Sequence, residues 1–143
     1  EGVVRAIGVG MNQCPLLCRF AREADPDCFL VAGRYTLLDR SAAEELLPLC
    51  EERKIAVIAG GVFNSGVLVA GDTYDYAPAP PAVFEDVARL RELCARHGVP
   101  LTAAAVQFPL RHPGVACVLV GCRSTAEIEE DVRLLEAVGC RGE

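Results

Sequence analysis

The chain has one lysine, Lys54, and two histidines, His97 and His112, and none of its cysteines fall in a C-x-x-C pair. With 14 basic residues against 20 acidic ones, a net charge of −6 and no Lys/Arg block, it lacks the basic stripe that phosphate backbones require, which excludes a nucleic-acid partner. No apolar run approaches the ~18 residues that a membrane span needs, so no membrane partner is expected. No charged segment followed by an apolar one opens the chain, and a cytoplasmic location is expected. Eight cysteines suggest a metal or disulfide framework until their spacing is read. Cys14, Cys18, Cys28, Cys50, Cys94, Cys117, Cys122 and Cys140 form no zinc pattern, and neither histidine sits near a cysteine cluster. They read as small buried hydrophobes in a reducing compartment, with no metal site.

What is present is a repeated phrase. At 143 residues, half of them apolar, one domain with a real core is expected. The runs at 3–10, 28–33, 55–61 and 117–121 are short, rich in Val and Ile, and close on glycine. They predict buried parallel strands. Helices are predicted between them at 14–24, with Leu16, Leu17 and Phe20 on one face and Pro15 in the first turn, and at 41–52, with Ser41 as N-cap. Further helices are predicted at 83–97, 101–110 and about 124–138. The fold class is α/β, built of parallel βα units with right-handed crossovers. "EGVVRAIGVG" reads as a loop entering a strand, so the natural start is expected upstream.

In such folds ligands lie at the carboxyl ends of the strands, where all four glycines fall. Each glycine permits a turn; four in register favour close backbone approach to a ligand. Two stretches on that rim could bind. In "VLVGCRSTAEIEED" (118–131), Ser124 and Glu127 match S-x-x-E, a capping box. The same helix start, beside Arg123 and just after Gly121, could instead take an anion or a ribose. Its acids, Glu127, Glu129, Glu130 and Asp131, would repel a 2′-phosphate while a carboxylate can accept hydrogen bonds from ribose hydroxyls. In "GGVFNSGVLVAG" (60–71), glycines with Asn64 and Ser65 offer either a cradle of amides or an ordinary loop; without a lysine it is no Walker loop. "YDYAPAPP" (74–81) continues it as a stiff extended segment, a lid or a spacer. Tyr35 is either a packed loop aromatic or a ring stacked on a planar cofactor, and Asn12 either a turn residue or a partner for a carboxamide. His97, His112 and Lys54 fall at the opposite edge, and no acid–base pair is apparent.

Taken together, "VRAIGVGMNQ", "RYTLLDR", "GGVFNSGVL" and "VLVGCRS…EIEED", with "AAAVQFPLRHPGVACVLVG" leading into the last, resemble the aldo-keto reductases, and within them the L-fucose or D-threo-aldose 1-dehydrogenase branch. The resemblance spans nearly the whole chain and implies that residues 1–143 are the C-terminal half, strands five to eight, of a (β/α)8 TIM barrel, truncated at both ends. It implies NAD, in preference to NADP, as cofactor and a small-molecule sugar as substrate. By the same resemblance, Tyr35 stacks on the nicotinamide and Asn12 lies within one residue of the asparagine holding the carboxamide. Gly60, Gly61, Val62, Asn64, Ser65, Gly66 and Leu68 belong to the loop covering the pyrophosphate; Gly121, Arg123 and Ser124 sit where the adenosine end is gripped. Glu130 and Asp131 fall where the family has Glu-Asn against the adenine, Asp131 being a departure. Ala32 departs where many members have a carboxamide-binding glutamine, and Glu127 stands where NADP-preferring members place an arginine. The family's catalytic Asp, Tyr, Lys and His belong to its first four strands, so this segment is expected to be inactive alone, with open edges free to self-associate. A non-catalytic nucleotide-binding or regulatory module, and a generic phosphate-binding domain, are the competing readings. If the dinucleotide reading holds, Tyr35, Gly66 and Arg123 share one side of the molecule.

Overall fold

Four parallel strands, β1 (Gly8–Met11), β2 (Cys28–Ala32), β3 (Ala56–Gly60) and β6 (Val115–Leu119), form one sheet in the order β1-β2-β3-β6 in the computed structural model, which describes residues 2–136. The helices that carry the chain back between strands are α1 (Cys14–Glu23), α2 (Leu46–Arg53), α3 (Pro81–Arg96) and α4 (Leu101–Gln107); α5 (Thr125–Glu136) follows the last strand. The predicted βα repeat is therefore present. Between β3 and α3 the chain adds an antiparallel pair, β4 (Thr73–Tyr74) and β5 (Ala77–Pro78), in place of the single extended segment expected there.

The strands are not buried on both faces as their unbroken apolar runs predicted. Phe29 and Val31 of β2 and Val57 and Ala59 of β3 are almost fully buried, while the residues between them are only partly buried or exposed. The buried set packs against Leu17, Cys18 and Ala21 of α1 and Leu46, Leu47 and Cys50 of α2. Each large aliphatic or aromatic side chain removed from water there contributes about 1.5–3 kcal/mol. The alternate face is less buried, so a period of two appears where continuous burial was expected. A smaller cluster, with Val67, Leu68, Val87, Leu101 and Ala105 at its centre, joins α3 and α4 to the loop after β3.

Several boundaries shift for identifiable reasons. Residues 3–7 precede the first strand, and Val3 is 86% exposed. On α1 the buried stripe is Leu17, Cys18 and Ala21, whereas Leu16 and Phe20 stay exposed. Ser41 does not cap a helix. The Asp39 carboxylate takes both the Ser41 N–H (2.9 Å) and its hydroxyl (2.6 Å), residues 41–43 form a single 3-10 turn, and α2 starts at Leu46. α4 stops at Gln107, before Pro109, which starts a further 3-10 turn and has no N–H to continue the ladder. Lys54 closes α2 in the left-handed region (φ 60°) and stands exposed just before β3, at the amino edge of the sheet. The seven cysteines among the described residues are free thiols, and those residues contain no cluster able to hold a metal. No helix among them is long and apolar enough to cross a membrane.

Candidate functional site

Beyond the carboxyl end of β3, Gly61 (φ 63°) turns the chain over Gly33 (φ 68°), which ends β2. A Cβ on Gly61 would lie 3.1 Å from the Gly33 nitrogen, so here glycine is required by strand-end packing rather than by a ligand. A Cβ on Gly121 would meet nothing within 4 Å. The loop then winds through Asn64 (φ 48°), Ser65 (φ 58°) and Gly66 (φ 102°). Part of the expected amide cradle is consumed by the turn itself: the Asn64 N–H donates to the Gly61 carbonyl (2.9 Å) and the Gly66 N–H to that of Phe63 (3.0 Å).

The start of α5 is built as the S-x-x-E motif predicts, with one displacement. The Glu127 N–H donates to Ser124 Oγ at 3.2 Å, while Glu127 Oε2 accepts from the N–H of Arg123 at 2.6 Å, one residue before the cap. The Arg123 guanidinium, almost wholly solvated, lies 3.6 Å from the other Glu127 oxygen. Glu130 pairs with Arg133 at 3.0 Å. Asp131 accepts the Cys122 thiol proton at 3.2 Å, and that carboxylate, followed by burial, raises the thiol above its ordinary range.

Between this helix start and the glycine loop lies a cleft of about 750 Å³. The loop supplies Gly61, Val62, Ser65 and Gly66, and the opposite wall Gly121, Arg123, Glu130 and Asp131. Phe63, Val69, Leu119 and Leu134 add an apolar lining. Apolar walls with a few converging polar groups are the usual make-up of a small-molecule site. The Ser65 hydroxyl accepts the Tyr76 N–H at 3.0 Å, which uses a lone pair and leaves its proton for an acceptor. Thr102, at the start of α4, and Leu134 line the cleft without having been singled out in the sequence. Thr102 follows a Pro-Leu that reads only as a helix start, and Leu134 is one of the apolar residues of α5.

Six of the expected residues stand outside this cleft. Gly60 and Leu68 are buried behind it, Leu68 within the second core cluster. Asn64 is buried, and its Oδ1 has no hydrogen-bond partner. Ser124 acts as the cap. Asn12 offers its backbone carbonyl to Arg34 Nε at 3.0 Å. Tyr35 packs against Phe108 (centroids 5.1 Å apart) and edge-on to His112 (5.4 Å), where apolar contact outweighs exposure on the rim. Gly66 and Arg123 thus share the cleft, which Tyr35 does not line. Neither histidine lines the cleft.

The family model for aldo/keto reductases matches residues 1–138. The chain belongs to the aldo/keto reductase family. It is 43% identical over 135 residues to pyridoxal 4-dehydrogenase of Microbacterium luteolum, covering 92% of this chain and 40% of that one. It is 43% identical over 136 residues to D-threo-aldose 1-dehydrogenase of a Pseudomonas species, covering 92% and 41%. The apo form of an aldo-keto reductase from Bacillus halodurans superimposes with a TM-score of 0.76 at 25% identity, over 96% of this chain and 47% of that one. The four parallel strands and their helices are therefore a (β/α)-type aldo-keto reductase arrangement, and the chain spans less than half the length of these relatives.

Proposed function

We propose that this chain is the cofactor-binding half, strands five to eight, of an NAD(P)-dependent aldo-keto reductase that oxidises the anomeric hydroxyl of aldoses such as L-fucose, or reduces carbonyls. The observation that carries the reading is the single cleft shared by the glycine loop at 61–66 and the capped, acid-rich start of α5. The dinucleotide would supply hydride-transfer chemistry; Gly61, Val62, Ser65 and Gly66 would hold its diphosphate side and Gly121, Arg123, Glu130 and Asp131 its adenosine end. The donors and acceptors suit this: the solvated Arg123 guanidinium, paired only loosely with Glu127, can turn to an anion, and Asp131 and Glu130 can accept from ribose hydroxyls. Three carboxylates against one guanidinium on that wall favour NAD over NADP. The relatives named for pyridoxal and for a D-threo-aldose support an alcohol or hemiacetal carbon on a ring as the reacting group. The catalytic side chains are assigned to the other half of the barrel, so the 143-residue chain alone binds weakly and turns nothing over.

Fluorescence titration with NADH and NADPH, followed by dehydrogenase assays on L-fucose, D-arabinose and pyridoxal with full-length protein, tests the reading. Tighter binding of NADH together with oxidation of at least one of these substrates is expected. Dinucleotide binding without turnover of any of them would favour the non-catalytic module.

A further inference from the structure

A strained turn closes the β4–β5 pair. Its two loop residues, Asp75 and Tyr76, both have positive φ (51° and 65°), the sign pattern of a type I′ turn, whose second position suits glycine. A tyrosine there must be held in a conformation that its Cβ disfavours, and its side chain is left 81% exposed. Two contacts hold it. Arg34 Nη2 donates to both carboxylate oxygens of Asp75 at 3.0 Å, and the Tyr76 N–H donates to Ser65 Oγ at 3.0 Å. Arg34 is itself fixed from two further sides, by the Asn12 carbonyl and by Asp39 Oδ2 at 3.2 Å, and its side chain is only 19% exposed. One guanidinium therefore ties together the loops that follow β1, β2 and β3.

The sheet order places these loops around the rim in sequence, β1, β2, β3 and then β6. The cleft occupies the sector between the β3 and β6 loops, and the Arg34 cluster the sector beside it. Ser65 belongs to both, since it lines the cleft and holds the Tyr76 amide. Glycine would close the same turn without strain and without an exposed ring, so turn formation alone does not account for the residue.

We propose that this clamped hairpin is a ligand-contacting arm. The Tyr76 ring stacks on the flat face of a small molecule, either an aromatic ring or the C–H face of a pyranose, held at the end of the cleft away from α5. Arg34 and Asp75 are positioning residues that fix the ring in place. The inference rests on the proposed reductase reading and adds to it the residue that selects ring-shaped substrates.

Tyr76→Gly separates the roles, because glycine is the residue this backbone prefers and the fold should be retained or made more stable. In full-length protein, Tyr76→Gly is expected to raise KM for L-fucose, pyridoxal or both about two- to tenfold, the span of one ring contact. Methylglyoxal, which has no ring, should keep its KM, NADH affinity should stay within twofold, and Tyr76→Phe should behave as the unaltered protein. Asp75→Asn should raise the same KM values without changing those for methylglyoxal. A direct readout is the ring NMR signal of Tyr76, identified by its loss in Tyr76→Gly. It should move on addition of the ring substrate whose KM responds and stay still on addition of ADP-ribose. Unchanged KM for both ring substrates, an equal rise for methylglyoxal, or a Tyr76 signal that ignores bound ring substrate would each overturn the proposal while leaving the cofactor reading intact. Failure of NADH and ADP-ribose to bind at all would overturn both.

Discussion

On the proposed dinucleotide reading, Glu127 is the residue whose substitution should turn the cofactor choice round. Its carboxylate lines the cleft, half-buried, with one oxygen on the Arg123 N–H and the other near the Arg123 guanidinium. A 2′-phosphate carries about −1.5 to −2 charges at neutral pH. At a separation of about 7 Å and an effective dielectric constant of about 40, one carboxylate repels it by about 2 kcal/mol before screening. Physiological salt, with a Debye length of about 8 Å, cuts this to about 1 kcal/mol. Glu127→Gln keeps an oxygen for the Arg123 amide and removes only the charge, so the ratio of NADPH to NADH dissociation constants should fall about fivefold. Glu127→Arg replaces repulsion with attraction and should lower the ratio about 30-fold. Both dissociation constants are measured by nucleotide fluorescence on full-length protein, at low salt and at about 1 M salt, where a Debye length of about 3 Å should reduce either change to less than twofold. Ser124→Ala is the control: it removes the cap, costs about 0.5–1 kcal/mol of helix stability, and should leave the ratio alone. A ratio that moves by less than twofold in both Glu127 variants, or that moves equally at high salt, would show that charge at this wall does not select the cofactor.

Two further outcomes follow from the core and the rim. Burial raises the Cys50 thiol from its ordinary 9.0 to about 11, and Cys14 and Cys18 are also raised, chiefly by burial. The native state thus keeps protons that the unfolded chain releases above pH 9, so this contribution is whole below that pH and is lost as pH rises from 9 towards 11. Denaturant melts across that window should show the decline, and Cys50→Ala should make it shallower even though its overall stability is lower; an equally steep decline would contradict the assignment. Gly61→Ala forces a side chain into φ 63° and to 3.1 Å from the Gly33 nitrogen, and should cost about 1–3 kcal/mol. A thermal melt unchanged from that of the parent would remove the requirement for glycine there.

The strands were legible because each is a short apolar run closing on or near a glycine, although of these glycines a positive φ calls for the residue only at Gly33 and Gly61. What was misread depended on which partner each polar or aromatic group meets. Ser41 matches an N-cap pattern, but Asp39, two residues earlier, satisfies its amide and hydroxyl first. Asp75 and Tyr76 do not spell a hairpin, because the usual Asn-Gly signal is missing and the turn is held by Arg34, 41 residues back. Tyr35 follows a strand-end glycine and so reads as a rim residue, yet Phe108 and His112, more than 70 positions later, draw its ring away from the cleft. The two walls of the cleft were each visible as local motifs, Gly-Gly-Val-Phe-Asn-Ser-Gly and Arg-Ser-x-x-Glu. Their meeting depends on β3 pairing with β6, a register that no local pattern contains.

Lys54 offers a practical handle. It is the sole lysine of these 143 residues, it is exposed, and it stands at the amino edge of the sheet, whereas the cleft opens beyond the carboxyl ends. In the 143-residue chain, amine-coupling chemistry directed at this side chain would anchor it to a sensor chip with its binding mouth turned toward the flowing solution, and a dye placed there would report on tumbling without crowding incoming molecules.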